Sequence, residues 1–356
     1  MAVSVPGATQ MIFEQIATGG CRSYLIGCEE TRAALVIDPA AQQIEHTLAL
    51  ASRHGLRIRY VADTHTHADH FSAAQELSRR PSIPALMHTL APARHADFRL
   101  AHGEILRCGT LRVQALHTPG HTRDSMCLLT EGRVFTGDTL LIGGTGRTDL
   151  PTGDPTALHA SLFTILAALP PDTRVHPAHE YKGRGHSTIG DEFATNPRLQ
   201  KRDRAAFVEM MRDLNLAAPI HLTEALRTNM SGGKTIDQML ADAAAAVPFI
   251  AIEDLHARLA AGDPGLVLLD VREREAYEAG HIPGARHLPR GLLELRVNTD
   301  LPDPTAHILV VCDLGHISTL AAATLRELGF QHATALDGGR TAWRERGLPL
   351  TLGSAP

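Results

Sequence analysis

The first 180 residues alternate short apolar runs with polar turns, a pattern typical of β-strands joined by short connections. Strands are predicted at 23–27, 33–38, 57–63, 111–116, 125–129 and 133–136. Helical composition predicts helices at 44–54, 71–79 and 155–169. Strands that run into loops, with helices between them, predict an α/β layered structure whose functional site lies at one edge.

The last hundred residues show a different alternation. Apolar strands are predicted at 266–271, 307–312 and 333–336, with helical stretches between them at 273–279 and 316–328. This order predicts a small, doubly wound parallel sheet. Small residues and an alanine-rich run separate the two halves. The predicted organisation is a first domain at 1–232, a linker at 233–249 and a second domain at 250–356.

Length and composition narrow the function. A chain of 356 residues is long for one core, which agrees with two domains. The net charge of -5 offers no basic face for nucleic acid, and no apolar run approaches the roughly 20 residues that cross a bilayer. Five cysteines without a C-x-x-C pair indicate a reducing, cytoplasmic compartment. We therefore expect small-molecule partners, and the sequence leaves homo-oligomer formation open.

Residues of metal-ligating type cluster at the ends of the predicted strands. They are His65, His67, Asp69, His70, His121, Asp138 and His179. Imidazole nitrogens and carboxylate oxygens bind zinc, iron or manganese. These seven side chains could build one metal site or two, and the ligand types alone do not select the metal.

The segments that carry these residues resemble those of the metallo-β-lactamase superfamily. The segments are Thr64–His70, Thr118–Thr122, Thr136–Asp138 and Pro177–His179. The resemblance covers residues 11 to 230 or so. It implies an αββα sandwich with the metal at the edge between its two sheets.

Two branches of that superfamily match best: glyoxalase II, a two-metal thioester hydrolase, and the persulfide dioxygenases, which use one iron. Both branches keep all seven ligand-type residues. The segments Thr136–Leu150 and His179–Gly183 resemble the dioxygenase branch more closely. That resemblance implies that glutathione persulfide, O2 and water react to give glutathione and sulfite.

The dioxygenase resemblance also implies roles for individual residues. His65, His121 and Asp138 would hold Fe(II), one per chain. Residues around that triad would orient it or be the remnant of a second metal site: His67, Asp69, His70 and His179. The two carboxylates of glutathione need cationic and hydrogen-bonding partners, for which we propose Arg147, Tyr181, Lys182 and Arg227.

The C-terminal region resembles rhodanese domains through Leu268–Arg286 and Asp337–Pro349. Between these segments a predicted strand ends at Cys312, the position of the rhodanese nucleophile. The predicted loop after it comprises Asp313, Leu314, Gly315, His316, Ile317 and Ser318. Backbone N–H groups of such a loop favour a thiolate and an anionic sulfur. The remaining cysteines, including Cys21, are interpreted as inert packing residues.

The cysteine loop departs from the usual rhodanese pattern, which carries arginines. Asp313 adds a negative charge beside the nucleophile, and Ile317 stands where an arginine is common. A neighbouring carboxylate should weaken the binding of dianionic thiosulfate. We therefore expect sulfur transfer that is slow with thiosulfate, or that prefers another donor.

Three functional hypotheses remain. The first is a bifunctional enzyme in which a rhodanese domain moves sulfane sulfur between thiosulfate and glutathione, and an iron domain oxidises glutathione persulfide. The second is a glyoxalase II-like dizinc thioester hydrolase. The third makes the rhodanese-like domain a non-catalytic sensor or docking module, because its loop is altered.

Overall fold

The elements described below come from a computed structural model, which describes residues 11–79, 83–214, 216–217, 222–301 and 303–353. Within them the chain divides into two compact units, one ending at Gly233 and the other beginning at Lys234. No described helix is long and apolar enough to span a bilayer.

The first sheet of the N-terminal unit contains six strands among the described residues, paired in chain order. They are β1 (Met11–Thr18), β2 (Cys21–Cys28), β3 (Ala33–Ile37), β4 (Arg57–Ala62), β5 (Ala85–His88) and β6 (Phe98–Leu100). The pairs β1–β2 and β2–β3 are antiparallel and the later pairs are parallel. Successive residues of β2 are buried on both faces, as expected for a strand covered on two sides.

The second sheet pairs six described strands in the order β14-β13-β10-β9-β8-β7. They are β7 (Ile105–Cys108), β8 (Leu111–His117), β9 (Met126–Thr130), β10 (Arg133–Gly137), β13 (Arg174–Pro177) and β14 (Ser187–Thr188). A short hairpin, β11 (Leu140–Leu141) and β12 (Gly144–Thr145), follows β10.

Helices cover the outer faces of both sheets. They are α1 (Ile44–Arg53), α2 (Ala74–Ser78), α3 (Pro155–Ala160), α4 (Ile189–Thr195), α5 (Arg204–Arg212) and α6 (Leu222–Ser231). Leu50 and Leu77 pack against the first sheet, and Leu158 and Phe207 against the second. Burial of each such side chain stabilises the folded state by about 2 kcal/mol relative to leaving it exposed.

The inner faces of the two sheets share one core. Tyr24 and Leu35 of the first sheet belong to the same buried cluster as Met126 and Phe135 of the second. The rings of Tyr24 and Phe135 meet edge to face with centroids 5.0 Å apart. The layers are therefore helix, sheet, sheet, helix, which is the αββα arrangement expected from the sequence.

The C-terminal unit is built on five described parallel strands in the order β15-β19-β18-β16-β17. They are β15 (Phe249–Ile250), β16 (Leu266–Asp270), β17 (Arg286–His287), β18 (His307–Val311) and β19 (Thr334–Leu336). The helices of this unit are α7 (Ile236–Ala246), α8 (Ile252–Ala260), α9 (Arg274–Glu278), α10 (Leu293–Asp300), α11 (His316–Glu327) and α12 (Gly339–Glu345). Separate apolar clusters cover the two faces, one around Leu325 and the other around Trp343. The predicted doubly wound sheet is confirmed.

The predicted linker at 233–249 differs from the structure, because helix α7 occupies most of it. Thr235 and Gln238 form a capping box at the start of this helix. Ala243 is buried, and Val247 belongs to the core of the C-terminal unit. Alanine is the strongest helix former, so the alanine-rich run is a helix rather than an open connection.

Candidate functional site

The histidine-rich loop after β4 is held by Asp38, which stands at the end of β3 with a positive φ of 49°. Oδ1 of Asp38 accepts a hydrogen bond from Thr64 N at 2.7 Å, and Oδ2 accepts one from Thr64 Oγ1 at 2.9 Å. His67 Nε2 lies 3.1 Å from Asp38 Oδ1. One buried carboxylate therefore sets the start of the loop and the orientation of the His67 ring.

Two further polar residues brace the same loop from distant parts of the chain. Asp124 accepts hydrogen bonds from the backbone N–H and the hydroxyl of Thr66. Asn229, in α6, donates from Nδ2 to the carbonyl oxygens of His67 and His70, each at 2.9 Å. Our sequence interpretation missed Asp38, Asp124 and Asn229, because nothing local in the sequence links them to the loop. The predicted helix at 71–79 accordingly begins only at Ala74.

The structure brings His65, His121 and Asp138 together. One ligand atom from each lies within 4.8 Å of the others, and all three residues are buried. His121 Nδ1 lies 2.8 Å from the carbonyl oxygen of Arg147, so this nitrogen carries the proton and Nε2 keeps its lone pair. Nε2 of His121 faces Asp138 Oδ2 at 3.5 Å.

His65 provides the test of whether a metal ion fits these residues. Thr64 Oγ1 donates its proton to Asp38, so it accepts from His65 Nδ1 at 3.0 Å, and His65 Nε2 carries a lone pair. That Nε2 is buried and has no hydrogen-bond partner among the described residues. A buried polar atom without a partner is costly unless another group binds it. The donor set of two imidazoles and one carboxylate fits a divalent metal ion.

The electrostatics keep this triad in the form that binds metal. Burial, and the nearby His67 and His121, lower the pKa of His65 well below its usual value, so the ring is neutral. Burial would raise the pKa of Asp138, but the charge of His179 and its hydrogen bond lower it below the usual range. Neutral imidazole and ionised carboxylate are the ligating states.

Gly146 explains why the Gly-Arg-Thr segment can reach the triad. A Cβ at this position would lie 2.0 Å from the carbonyl oxygen of Asp138 and 3.0 Å from the His121 ring. Only glycine therefore lets the chain pass close enough for the Arg147 carbonyl to accept from His121.

The other predicted residues form a second cluster beside the triad. His179 Nδ1 lies 2.6 Å from Asp138 Oδ1, and His179 Nε2 lies 2.7 Å from Asp69 Oδ2. His70 Nδ1 lies 3.2 Å from the same Asp69 oxygen. Cys21 belongs to this cluster, with Sγ 3.4 Å from His179 Nε2, in place of the expected inert packing role. Burial would raise the pKa of the Cys21 thiol, but hydrogen bonds with His179 and His70 lower it to about 7.

A cavity of about 570 Å³ opens at the triad. Its lining includes Arg147, Tyr181 and Lys182. Arg227 does not line this cavity within the described residues, and its side chain is exposed on α6. Arg198, which our sequence interpretation missed, does line it.

Two of the cations that line the cavity already have acidic partners. Arg147 is bidentate to Asp149 at 2.6 and 2.7 Å and also donates to the carbonyls of residues 216 and 217. Arg184 pairs with Glu180 at 2.7 Å. Arg147 therefore braces the cavity wall, and its role in substrate binding stays a prediction.

Arg198 and Lys182 have no ion pair among the described residues. Arg198 Nη1 donates to the backbone and hydroxyl oxygens of Thr145, at 2.6 and 2.9 Å. Burial lowers the pKa of Arg198, and no carboxylate opposes that effect. The cavity thus keeps two uncompensated positive charges.

In the C-terminal unit, Cys312 follows β18 and is buried at the start of the predicted loop. Its Sγ accepts hydrogen bonds from Gly315 N at 3.2 Å and Ser318 N at 3.3 Å. Gly315 has a φ of 93°, which turns the loop into the N-terminus of α11. Converging N–H groups of this kind stabilise a thiolate and the anionic sulfur that it can carry.

The charge of Asp313 is balanced by two arginines, more fully than the partial compensation that we expected from nearby residues. Its Oδ1 accepts from Arg340 Nε at 2.7 Å and from Arg272 Nη1 at 3.2 Å. The side chains of Leu314 and Ile317 are exposed on the same loop, 62% and 48% respectively. The loop therefore combines two guanidinium groups, which pair with Asp313, with two exposed apolar side chains.

Fold and site together define a metal-binding sandwich of the metallo-β-lactamase type joined to a rhodanese-like unit. The model of the metallo-beta-lactamase superfamily matches residues 16–179, and that of the rhodanese-like domain matches residues 251–346. The mouse persulfide dioxygenase ETHE1 is 33% identical over 234 residues, 65% of this chain and 91% of that protein. The chain belongs to the ETHE1-like persulfide dioxygenase family and carries a C-terminal rhodanese-like domain.

One solved structure agrees with this assignment, and a second agrees with the fold. ETHE1 from Myxococcus xanthus is 39% identical, with a TM-score of 0.61, and the match covers 63% of this chain and all of that one. A metallo-beta-lactamase from Staphylococcus aureus covers 92% of this chain and 98% of its own, with a TM-score of 0.58. At 24% identity that second match supports the fold alone.

Proposed function

We propose that the chain is a glutathione persulfide dioxygenase with one Fe(II) at His65, His121 and Asp138, coupled to sulfur transfer through Cys312. The observation that carries the first half is the buried Nε2 of His65, which has no hydrogen-bond partner among the described residues and lies close to His121 and Asp138, which line a cavity. Sequence and structural similarity to persulfide dioxygenases supports the proposed oxidation of a persulfide.

The overall reaction sets what the site must accommodate. Glutathione persulfide, O2 and water give glutathione and sulfite, so the outer sulfur loses four electrons and O2 gains four. Fe(II) bound by two imidazoles and one carboxylate would supply open coordination positions and redox chemistry. The protein holds Asp138 through His179 and His121 through Arg147, which limits rotation of both ligands.

Substrate recognition follows from the two uncompensated cations. Glutathione has two carboxylates, and Lys182 and Arg198 offer two positive charges in the cavity that leads to the triad. Leu141, Ile142 and Leu150 also line the cavity and limit water around the reacting sulfur. We propose that Lys182 and Arg198 bind the substrate carboxylates.

Arg198→Gln tests this assignment. A charge-assisted hydrogen bond contributes about 1.5–3 kcal/mol, so we expect KM for glutathione persulfide to rise about tenfold or more. The bound metal and kcat should be unchanged, because Arg198 does not contact the triad. Oxygen uptake against substrate concentration gives both constants. The exposed Arg212→Gln in α5 is the matched control, and a parental KM in Arg198→Gln would contradict the assignment.

The proposed sulfur transfer uses Cys312 as a covalent carrier. Its thiolate attacks the outer sulfur of thiosulfate, the S–S bond breaks, and sulfite leaves with the bonding electrons. The thiolate of glutathione then attacks the outer sulfur of the Cys312 persulfide, which releases glutathione persulfide and restores the Cys312 thiolate. The N–H groups of Gly315 and Ser318 stabilise the anionic sulfur. The product is the substrate proposed for the N-terminal unit.

Asp313→Asn should improve thiosulfate use. The substitution removes the carboxylate that Arg272 and Arg340 share, so both guanidinium groups can act on a dianionic donor. Because Asp313 is partly exposed, we expect thiosulfate binding to be stronger by about 1 kcal/mol, which lowers KM for thiosulfate about fivefold. Thiosulfate-dependent transfer to glutathione measures it, with the exposed Asp254→Asn in α8 as control. An unchanged or higher KM would contradict the proposed effect of Asp313.

Anaerobic purification followed by elemental analysis and oxygen uptake tests the whole proposal. We expect one iron per chain at the triad and one sulfite formed per O2 consumed with glutathione persulfide. Iron-free protein should lose the uptake and recover it on addition of Fe(II). Two zinc ions with cleavage of lactoylglutathione, and no oxygen uptake, would instead establish the thioester hydrolase.

A further inference from the structure

The cysteine loop that begins at Cys312 is held by the N-terminus of α12. The carbonyl oxygen of Cys312 accepts a hydrogen bond from Arg340 N at 2.7 Å, and that of Asp313 accepts one from Thr341 N at 2.9 Å. These carbonyls therefore face α12, whereas two N–H groups further along the loop face Cys312 Sγ. The backbone alone thus holds a cradle of N–H donors around the sulfur.

The charged groups next to this loop offset one another. Arg272 donates from Nε to Asp270 Oδ1 at 2.9 Å and from Nη2 to Asp270 Oδ2 at 2.6 Å. Arg272 and Arg340 both donate to Asp313 Oδ1, so two guanidinium groups meet two carboxylates. His316 is exposed, and water screens any charge that it carries. The positive potential at the sulfur then comes from the N-terminus of α11, about half an elementary charge. Such a cradle stabilises one negative charge better than two.

Two apolar side chains stand beside the N–H donors of the cradle. Leu314 immediately precedes Gly315, and Ile317 immediately precedes Ser318. The exposed fractions of Leu314 and Ile317 are 62% and 48%. Removing apolar surface from water is favourable. A sulfur donor with an apolar substituent should therefore bind this loop more tightly than a donor that presents only anionic oxygens.

We propose that Cys312 prefers a donor with one negative charge and an apolar substituent, the class of organic thiosulfonates, over dianionic thiosulfate. This inference rests on the sulfur transfer proposed above and names its donor. The Cys312 thiolate attacks the outer sulfur of R–SO2–S⁻, the S–S bond breaks, and the sulfinate R–SO2⁻ leaves with the bonding electrons. Cys312 then carries the persulfide, which the glutathione thiolate removes as in the thiosulfate reaction.

Three donors separate the effect of charge from that of apolar surface: thiosulfate, methanethiosulfonate and benzenethiosulfonate. The full-length chain is assayed without oxygen, so that glutathione persulfide accumulates, and its release to glutathione gives kcat/KM for each donor. The uncatalysed rate of each donor with glutathione is subtracted. We expect kcat/KM to rise from thiosulfate to methanethiosulfonate because one charge is lost. It should rise again to benzenethiosulfonate because the ring covers the apolar side chains.

Variants of the two exposed apolar residues test the second step. Leu314→Ser and Ile317→Ser should each lower the ratio of kcat/KM for benzenethiosulfonate to that for methanethiosulfonate about fivefold. Leu295→Ser in α10, where the leucine is 80% exposed, is the matched control and should keep the parental ratio. Ile317→Arg should raise kcat/KM for thiosulfate about tenfold, because it adds a cation for the second negative charge.

The outcomes distinguish this inference from the proposed function. A parent that uses thiosulfate as well as either thiosulfonate would overturn the inference and leave the sulfur transfer standing. A parental ratio in both Leu314→Ser and Ile317→Ser would also overturn it. Transfer from none of the three donors, or transfer that persists in Cys312→Ser, would overturn the proposed role of Cys312 and the inference with it.

Discussion

His121→Ala is expected to abolish both iron retention and oxygen uptake driven by glutathione persulfide. The substitution removes one of three ligands and leaves His65 and Asp138, which together cannot close the metal site. Even residues that only orient a ligand change metal affinity or activity by 10–100-fold, so loss of a ligand should exceed about 100-fold. Iron per chain by elemental analysis and oxygen uptake are the two measurements.

The matched control for His121→Ala is His46→Ala, an exposed histidine on α1 in the same unit. This variant should keep the iron content and the rate of the parent. Thermal unfolding should show that His121→Ala still folds, because the αββα core around Tyr24 and Phe135 is untouched. Uptake at the parental rate in folded His121→Ala would show that the triad is misassigned.

Cys312→Ser is expected to abolish sulfur transfer from thiosulfate to glutathione and to leave the oxidation of added glutathione persulfide unchanged. Serine fits the same space beside Gly315 and Ser318, but its hydroxyl is a poor nucleophile at neutral pH. Glutathione persulfide release measures transfer, and oxygen uptake measures oxidation. An unchanged transfer rate would make the C-terminal unit a sensor or docking module.

Cys108→Ser is the control for this variant. Burial raises the pKa of the Cys108 thiol to about 12, so this cysteine is not a thiolate at neutral pH. We expect sulfur transfer at the parental rate in Cys108→Ser. Equal losses in both variants would point to general damage rather than to removal of the nucleophile.

The coupling of the two activities can be measured with the same variants. Thiosulfate and glutathione together should drive oxygen uptake in the parent, because in the proposed function the C-terminal unit supplies the persulfide that the N-terminal unit oxidises. Cys312→Ser should show no uptake with this mixture and full uptake when glutathione persulfide is added. Restoration by the added persulfide locates the defect in transfer.

Local sequence patterns predicted an α/β layered first unit, a parallel sheet in the second and the residue types of both candidate sites, and the resemblance to the superfamily implied the αββα order. Thr64–His70 and the residues around Cys312 follow strands of regular apolar pattern, and loops at strand ends are where functional side chains gather. The αββα sandwich and the parallel sheet agreed with those expectations. The alanine-rich run was interpreted as part of a linker, but it forms a helix. Small residues occur in helices as readily as in connections, and packing against the core of the C-terminal unit selected the helix.

The sequence by itself determined which side chains are available: imidazoles, carboxylates and a cysteine at the end of a strand. Only the tertiary structure decided which of them are free to act. Arg147 pairs with Asp149, Arg198 pairs with no carboxylate in the part of the chain that the structure describes, and Asp313 is balanced by two arginines. Cys21 meets His179 across 158 residues. Charge pairing and ligand geometry depend on distances in space, which no spacing along the chain encodes.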